Sequence, residues 1–396
     1  MTKILFSIDS ILPYHVARLN SLEESANIYC VETFSKSEVY SINYEKNFHF
    51  HHILMHSEAR NLPSFFKAYR IFNSICPDVV FVSGWGRIVD LYFILISLIL
   101  KKRIIVISDS QYIDFPRNYF SEKIKSLILG AVSGVFVAGK PQKEYALKLG
   151  VSSKKVYLGC DVVDNAHFSR VGPIRQEVFI LVARLIEKKN IFYLLDSFTA
   201  YKKKCNESSI TPWKLIIVGS GPLANKIREY INLNNLTNLV SLVGNLSYEN
   251  IISYYHSAGC LLLVSSSEQW GLVVNEGMAS GLPIIVSDRC GCAQDLVINN
   301  VNGYVVKHDC FEDLVCCMFK ISSLSNSEWL NFSCKSQEII RSFDLKNYKK
   351  SVSTIIDQSN DSFDNRHRTI SIFSVIFSIF ILAFKSIFLN KRISNE

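Results

Sequence analysis

Two glutamates eight positions apart, Glu268 and Glu276, are the residues of this chain most suited to chemistry. They lie in SSSEQWGLVVNEGMASGLPIIVS, residues 265–287, with Gly271 between them. The apolar run 260–264 has the pattern of a buried strand. Leu272, Val273, Met278 and Ala279 recur at helical period, and Gly281 and Pro283 end the helix. Glu268 therefore falls in a loop after a strand. Glu276 falls one to two turns into the following helix, on a side that looks back toward that loop. The first amides of the helix, around Gly271, Leu272 and Val273, have no partner within it, and together with the helix dipole they favour an anion. Two carboxylates beside an anion site suit a ligand carrying both phosphates and hydroxyls, such as a nucleotide-sugar. The plainer alternative is an ordinary strand–loop–helix with one solvated glutamate and one favoured by the dipole. The spacing alone does not separate the two.

Arg184 and Lys189 sit five positions apart in a second loop of this kind, after the strand pattern 178–182. A planar guanidinium and a point-charge ammonium can flank a diphosphate. Standing alone they read as a solvated basic loop before a helix. Gly219 ends the next strand pattern, 213–218, and Gly244 with Asn245 ends another at 240–243.

The elements that must hold these loops alternate regularly. In the first half, strand patterns at 3–8, 28–33, 79–83, 104–107, 134–138 and 155–158 alternate with helical ones at 14–21, 62–74, 90–100, 123–129 and 141–149. Ligands of such sheets gather at the carboxyl ends of strands. Tyr14 and His15 follow the first strand and suit an acceptor or a phosphate; a helix-start histidine without a role is the alternative. Asp109 follows the strand 104–107, between two serines. The histidines of FHFHHILMH, 48–56, alternate as in a half-exposed strand, and no acid or cysteine is spaced to complete a metal shell. We expect a first domain at 1–168, a second at 169–345, a closing helix and linker at 346–364, and a hydrophobic, basic-flanked tail at 365–396.

The 396 residues carry a net charge of +8. That sign suits phosphorylated substrates or an anionic membrane surface. No compact Lys/Arg run is interleaved with aromatics, so nucleic acid is not expected. Eleven cysteines form no C-x-x-C pair, and Cys290 and Cys292 lack a second pair or histidine at zinc spacing. The opening MTKILFSIDS reads as a strand, so buried thiols in a reducing cytosol are expected. In the tail, residues 369–389 hold one charge, Lys385, between Arg366, His367 and Arg368 and Lys391 and Arg392. A spanning helix, an interfacial helix and a buried core helix all remain open, with membrane contact favoured.

The string S-x-E-x-W-G-L-V-x-N-E-x-M-A-x-G-L-P resembles the E-x7-E signature of family 4 glycosyltransferases. The likeness is strongest over residues 178–306. It implies a fold of the α/β class: GT-B, two Rossmann-like doubly wound domains facing a cleft, here followed by a C-terminal hydrophobic helix. It also implies retaining transfer of a sugar from a nucleoside-diphosphate sugar, with no cofactor and no metal. On this resemblance Arg184 and Lys189 hold the diphosphate, Glu268 meets the donor sugar, and Glu276 meets the ribose. Gly271, Leu272 and Val273 supply amides, Gly244 and Asn245 line the base pocket with Gly219 nearby, and Asp109, Tyr14 and His15 face the acceptor. Two departures stand out. Asn190 replaces the usual glycine after the lysine, and Ser108-Asp109-Ser110 stands where many members have a histidine. The expected enzyme is a glycosyltransferase of surface polysaccharide or glycolipid synthesis, acting on a glycan or lipid-linked acceptor at the cytoplasmic face of the membrane. A sugar-nucleotide epimerase of the same fold and a non-catalytic, membrane-tethered nucleotide-sugar-binding protein are the alternatives.

Overall fold

A computed structural model of the protein describes residues 1–33, 47–55, 62–358 and 370–379. The chain divides into two compact units. One comprises Met1–Ala138, Gln142–Cys160 and Leu345–Glu396; the other comprises Gly139–Pro141 and Asp161–Asp344.

In the first unit, β1 (Lys3–Ile8), β2 (Asn27–Glu32), β3 (His51–Leu54), β4 (Val79–Val82), β5 (Arg103–Ser108), β6 (Gly134–Val137) and β7 (Val156–Leu158) form one sheet. Their order is β3-β2-β1-β4-β5-β6-β7, and every pairing is parallel. The inner strands β1, β4, β5 and β6 are apolar and mostly buried because helices cover both faces, whereas the edge strands β3 and β7 are partly exposed. The helices are α1 (Pro13–Asn20), α2 (Leu62–Ile75), α3 (Ile88–Ile99), α4 (Tyr119–Gly130) and α5 (Lys140–Lys148). Chain order reverses between β1 and β4, the switch point where such sheets open a crevice. The greasy α3 is buried from Ile88 to Leu98 against this sheet.

The second unit repeats the design with β8 (Val178–Val182), β9 (Lys214–Val218), β10 (Val240–Gly244), β11 (Cys260–Leu263), β12 (Ile284–Ser287) and β13 (Gly303–Val306). The order is β10-β9-β8-β11-β12-β13, again all parallel, with its switch point between β8 and β11. Its helices are α6 (Asn165–Phe168), α7 (Ile191–Glu207), α8 (Ala224–Leu233), α9 (Ile251–His256), α10 (Leu272–Ala279), α11 (Ala293–Leu296), α12 (Phe311–Ser322) and α13 (Asn326–Ile340). The division falls before Asp161 rather than after Phe168. Asp164 caps α6, and the Asn165 side chain donates to the Ile340 carbonyl at 3.0 Å, tying this segment to the second unit.

α14 (Leu345–Gln358) returns to the first unit. Ser351 Oγ donates to the Leu158 carbonyl at 3.1 Å, Arg103 donates to the Ile356 carbonyl at 2.6 Å, and Tyr348 packs on Phe136. Residues 370–379 are helical and dock against α4 of the same unit. Val375 is fully buried in the first unit's core, and Ile372, Ile376 and Ile379 pack against that core. Ser371 Oγ donates to the Leu127 carbonyl. The expected C-terminal hydrophobic helix is not supported as a spanning element: of the three readings left open, residues 370–379 take that of a helix packed on the core. No helix among the described residues is long and apolar enough to cross a membrane. One face of the stretch, Ile372, Val375, Ile376 and Ile379 at i, i+3, i+4 and i+7, is occupied by the protein core. The rest of 365–396 lies outside the described residues, as does His56.

Candidate active site

Four loops at the carboxyl ends of β8, β9, β10 and β11 are laced together backbone to backbone. Leu185 N–H donates to the Ser220 carbonyl at 2.8 Å, Gly219 N–H to Gly244 at 2.7 Å, and Ser266 N–H to Lys188 at 2.9 Å. Gly219 makes this closeness possible. A Cβ on it would stand 1.9 Å from the Ala183 carbonyl oxygen, inside van der Waals contact. Gly219 thus packs the β8 and β9 loops against each other.

The β8 loop ends in a 3-10 turn, Glu187–Lys189, and Asn190 then takes the left-handed conformation (φ 56°, ψ 39°) before α7 begins. Asparagine tolerates this region better than other residues with a Cβ, which accounts for its standing where the resembling family has glycine. The turn carries Lys189 across the switch point, where its ammonium pairs directly with the Glu268 carboxylate. Both side chains are mostly buried, at 12% and 14% exposure. Ser265 Oγ lies 3.4 Å from the same carboxylate oxygen. The Glu268 backbone is pinned to the β12 loop by Glu268 N–H to the Arg289 carbonyl and Gly291 N–H to the Glu268 carbonyl. Arg184 is exposed on the β8 loop, apart from this pair.

Gly271 starts α10 with φ 108°. A Cβ here would press to 2.8 Å from a Leu263 methyl, so the residue serves both the conformation and the packing. Leu272 and Val273 open the helix, where amides have no partner four residues back. Just before the helix, Trp270 Nε1 donates to Asn275 Oδ1 at 3.0 Å, and Asn275 Nδ2 donates to the Asp161 carbonyl. This inner lock holds the glutamate-bearing loop on the helix it precedes.

Glu276 sits on the second turn of α10. The Tyr255 hydroxyl of α9 donates to its Oε2. Burial pushes the Glu276 carboxyl up to about 7, opposed by the hydrogen bond from Tyr255. Near neutral pH this acid is therefore poised between its two forms, unlike an ordinary surface glutamate. Gly244 closes β10, and Asn245 is exposed just beyond it. The second unit thus gathers Lys189, Glu268, Gly271, Leu272 and Val273 around one switch point, with Glu276 one turn along the helix.

Tyr14, His15 and Asp109 belong to the first unit. His15 Nδ1 accepts the Leu12 N–H at 3.1 Å. Desolvation, with Arg18 and Arg87 adding to it, holds the ring well below its usual pKa, so His15 is neutral. Tyr14 packs on the His15 ring with the Arg18 guanidinium over its other side, 4.7 Å from the centroid. Asp109 follows the carboxyl end of β5. The histidines of 49–52 are engaged in packing: His52 with Glu32, His49 with Glu23, and His51 on the Tyr29 ring. Among the described residues no group of three or more His, Cys, Asp or Glu is placed to hold a metal ion.

The sequence reading missed Tyr255, and it held Trp270 and Asn275 only as letters of the signature string, without a role. Their signal was present but mute. An aromatic at helical spacing before a strand, or an asparagine beside a glutamate, looks like core or surface until the partner is placed.

Residues 164–321 match the family model described as glycosyl transferases group 1. The chain is 33% identical over 114 residues to an uncharacterized glycosyltransferase of Methanocaldococcus jannaschii, covering 29% of this chain and 31% of the relative. It is 31% identical over 115 residues to the alpha-monoglucosyldiacylglycerol synthase of Acholeplasma laidlawii, covering 28% of each. The chain thus spans under a third of the length of these curated relatives. A solved structure of HepE from Anabaena, in complex with UDP and glucose, matches with a TM-score of 0.72 at 15% identity, covering 90% of this chain and all of that one. That likeness establishes the α/β GT-B fold.

Proposed function

We propose that the chain is a retaining glycosyltransferase using a nucleoside-diphosphate sugar, starting from the match of residues 164–321 of the second unit to the group 1 glycosyl transferases. The observation that carries this is the Lys189–Glu268 pair set at the start of α10, with Glu276 a turn further on. As the glycosidic bond breaks, negative charge grows on the departing diphosphate. An ammonium and first-turn amides already in place stabilise that charge more in the transition state than in the ground state. Arriving phosphate would take over Lys189, freeing Glu268 for sugar hydroxyls. Arg184, exposed on its loop, is the second cation of the diphosphate. Glu276 accepts hydrogen bonds from the ribose. Gly244 and Asn245 border the base, with no cofactor or metal needed. Asp109, Tyr14 and His15 serve the acceptor, which we take to be a glycan or lipid-linked one used in surface polysaccharide or glycolipid synthesis.

We place the enzyme at the cytoplasmic face of a membrane. In support, Phe373 and Phe377 turn outward from the docked helix, and the Phe120 ring packs edge-on to Phe377 at 6.0 Å. The relative named for glycolipid synthesis agrees with a lipid acceptor. The test is a panel of nucleotide-sugars scored for turnover by wild type, Lys189→Ala and Glu276→Ala. Loss of donor turnover in both variants is expected; full activity in both would remove the catalytic reading.

A further inference from the structure

We infer that Tyr255 is a positioning residue for the nucleoside half of the donor site: its hydroxyl holds one oxygen of Glu276, leaves the other for a ribose diol, and makes nucleotide affinity follow the protonation of that one carboxylate. This rests on the reading that Glu276 meets the ribose.

The geometry comes first. Tyr255 has no exposed surface, and its hydroxyl reaches from α9 to Oε2 of Glu276 on α10. Its ring is braced edge-on by Phe168 of α6, with centroids 5.9 Å apart. The Tyr248 ring lies flat on His167, 4.1 Å away at 6°, and meets the other side of Phe168 edge-on. The Tyr248 hydroxyl is buried and has no hydrogen-bond partner among the described residues. Aromatic rings thus wall in this end of the carboxylate, and the hydrogen bond from Tyr255 favours its charged form. A carboxylate accepts two diol hydroxyls only when ionised; once protonated, one oxygen becomes a donor.

The titratable neighbours come from each packed element. α9 provides Tyr255, and the loop before it provides Tyr248 and Glu249. α6 and its cap provide His167 and Asp164, and the field of Glu276 reaches both tyrosines. From α13, Ser333 and Ser336 are spent on the Gly281 and Leu282 carbonyls. β11 and β12 face α10 with buried apolar side chains. Burial raises Glu276 and Tyr255 lowers it, which puts the midpoint of about 7 within the working range. The ionised form is lost as pH falls through that midpoint.

The experiment is calorimetric titration of the full chain with UDP, GDP and ADP between pH 5.5 and 9, in wild type, Tyr255→Phe and Glu276→Gln. The three nucleotides share ribose and diphosphate. Glu276→Gln reports the phosphate's own titration and serves as the baseline. Relative to it, wild-type affinity should fall toward tenfold per pH unit below a midpoint near 7. Tyr255→Phe should move that midpoint up by about one pH unit, the worth of a hydrogen bond to a charged group. At pH 7 it should bind several-fold more weakly than wild type, recovering much of the loss at pH 9. An equal loss at every pH with an unmoved midpoint would mark Tyr255 as merely structural and overturn the inference. Should phenylalanine at 255 leave the chain unfolded, 3-fluorotyrosine at that position strengthens the donor and must move the midpoint down; no movement overturns the inference equally. Absence of binding by all three nucleotides in wild type would instead sink the donor-site reading, and this inference with it.

Discussion

The two sheets are wound alike, yet their switch points are built for different ends. In the first unit, the polar groups at the ends of β1, β2 and β4 satisfy one another. Arg87 donates through Nε and Nη2 to both oxygens of buried Asp90 at 2.7 Å, and through Nη1 to Asp9 and Thr33. Ser7 Oγ donates to Asp90 at 2.7 Å. In the second unit, the backbone does the closing. Gly219 lets the loops bond amide to carbonyl, while Lys189 pairs with Glu268 and Tyr255 bonds Glu276, with the side chains of Lys189, Glu268 and Glu276 partly exposed. A closed side-chain net specifies a loop conformation, whereas a closed backbone net leaves side chains for a ligand. Asp9 and Arg87 look as chemical in the sequence as Lys189 and Glu268 do, and only their partners tell them apart.

The largest effect should come from opening the first net. Arg87→Ala strands the Asp90 carboxylate, which has no exposed surface. Removing one member of a buried pair costs about 3–5 kcal/mol. Urea unfolding should therefore show a large loss of stability in this variant. A loss below about 1 kcal/mol would mean that the net is not closed and that these residues too await a ligand.

The same comparison predicts the opposite sign in the second unit. Glu276 has its pKa raised from the ordinary 4.5 to about 7 by burial, so the folded chain takes up its proton more readily than the unfolded chain. Its contribution to stability is then greatest at low pH and declines as pH rises from about 4.5 through about 7. Glu276→Gln removes the buried charge and keeps an acceptor for Tyr255. It should raise the melting temperature at pH 8 by about 2–4 °C for each kcal/mol recovered, and do little at pH 5. Nucleotide affinity should fall in the same variant. A destabilised Glu276→Gln at pH 8 would place this acid with the structural net of the first unit.

A third effect concerns the docked helix. Val375 is fully buried, so Val375→Ala should destabilise the first unit by about 1–3 kcal/mol through lost burial and the cavity left behind. Phe373→Ser with Phe377→Ser should leave stability within about 0.5 kcal/mol while lowering cosedimentation with anionic vesicles. If both sets leave the melting temperature unchanged, the helix is an appendage and not part of the unit.

Much of this was legible in the sequence because it repeats. Strand and helix alternate with steady periods, so both sheets could be laid out from runs such as VVFV at β4 and CLLL at β11. The site was legible where one string carried it, from Glu268 to Glu276. What stayed hidden were contacts made across sequence distance. Nothing in 251–256 announces that Tyr255 reaches Glu276, and no pattern joins Asn275 to Asp161. The tail stayed ambiguous for a related reason. Hydropathy sums the apolar side chains of 369–389 but does not report that Ile372, Val375, Ile376 and Ile379 already have a protein core to cover. The division before Asp161 was invisible because α6 is only four residues long and is held by its own cap and by the Asn165 side chain donating to a backbone carbonyl of α13.

The smallest expected effect tests whether the Lys189 turn owes its shape to backbone or to side chain. Asn190 has φ 56° and ψ 39°, and its side chain makes no cap hydrogen bond. If the left-handed conformation is all that the position needs, Asn190→Gly should change stability by no more than about 0.5 kcal/mol and leave donor KM unaltered. Asn190→Ala should cost about 1 kcal/mol, because a Cβ without a local polar group is disfavoured there. It should also raise KM for the donor, since a turn that relaxes carries Lys189 away from Glu268 and from the start of α10. Glycine and alanine behaving alike would mean that the turn is held by the Ser266–Lys188 backbone bond rather than by residue 190. The lacing of the second unit's loops would then be stronger than its single residues suggest.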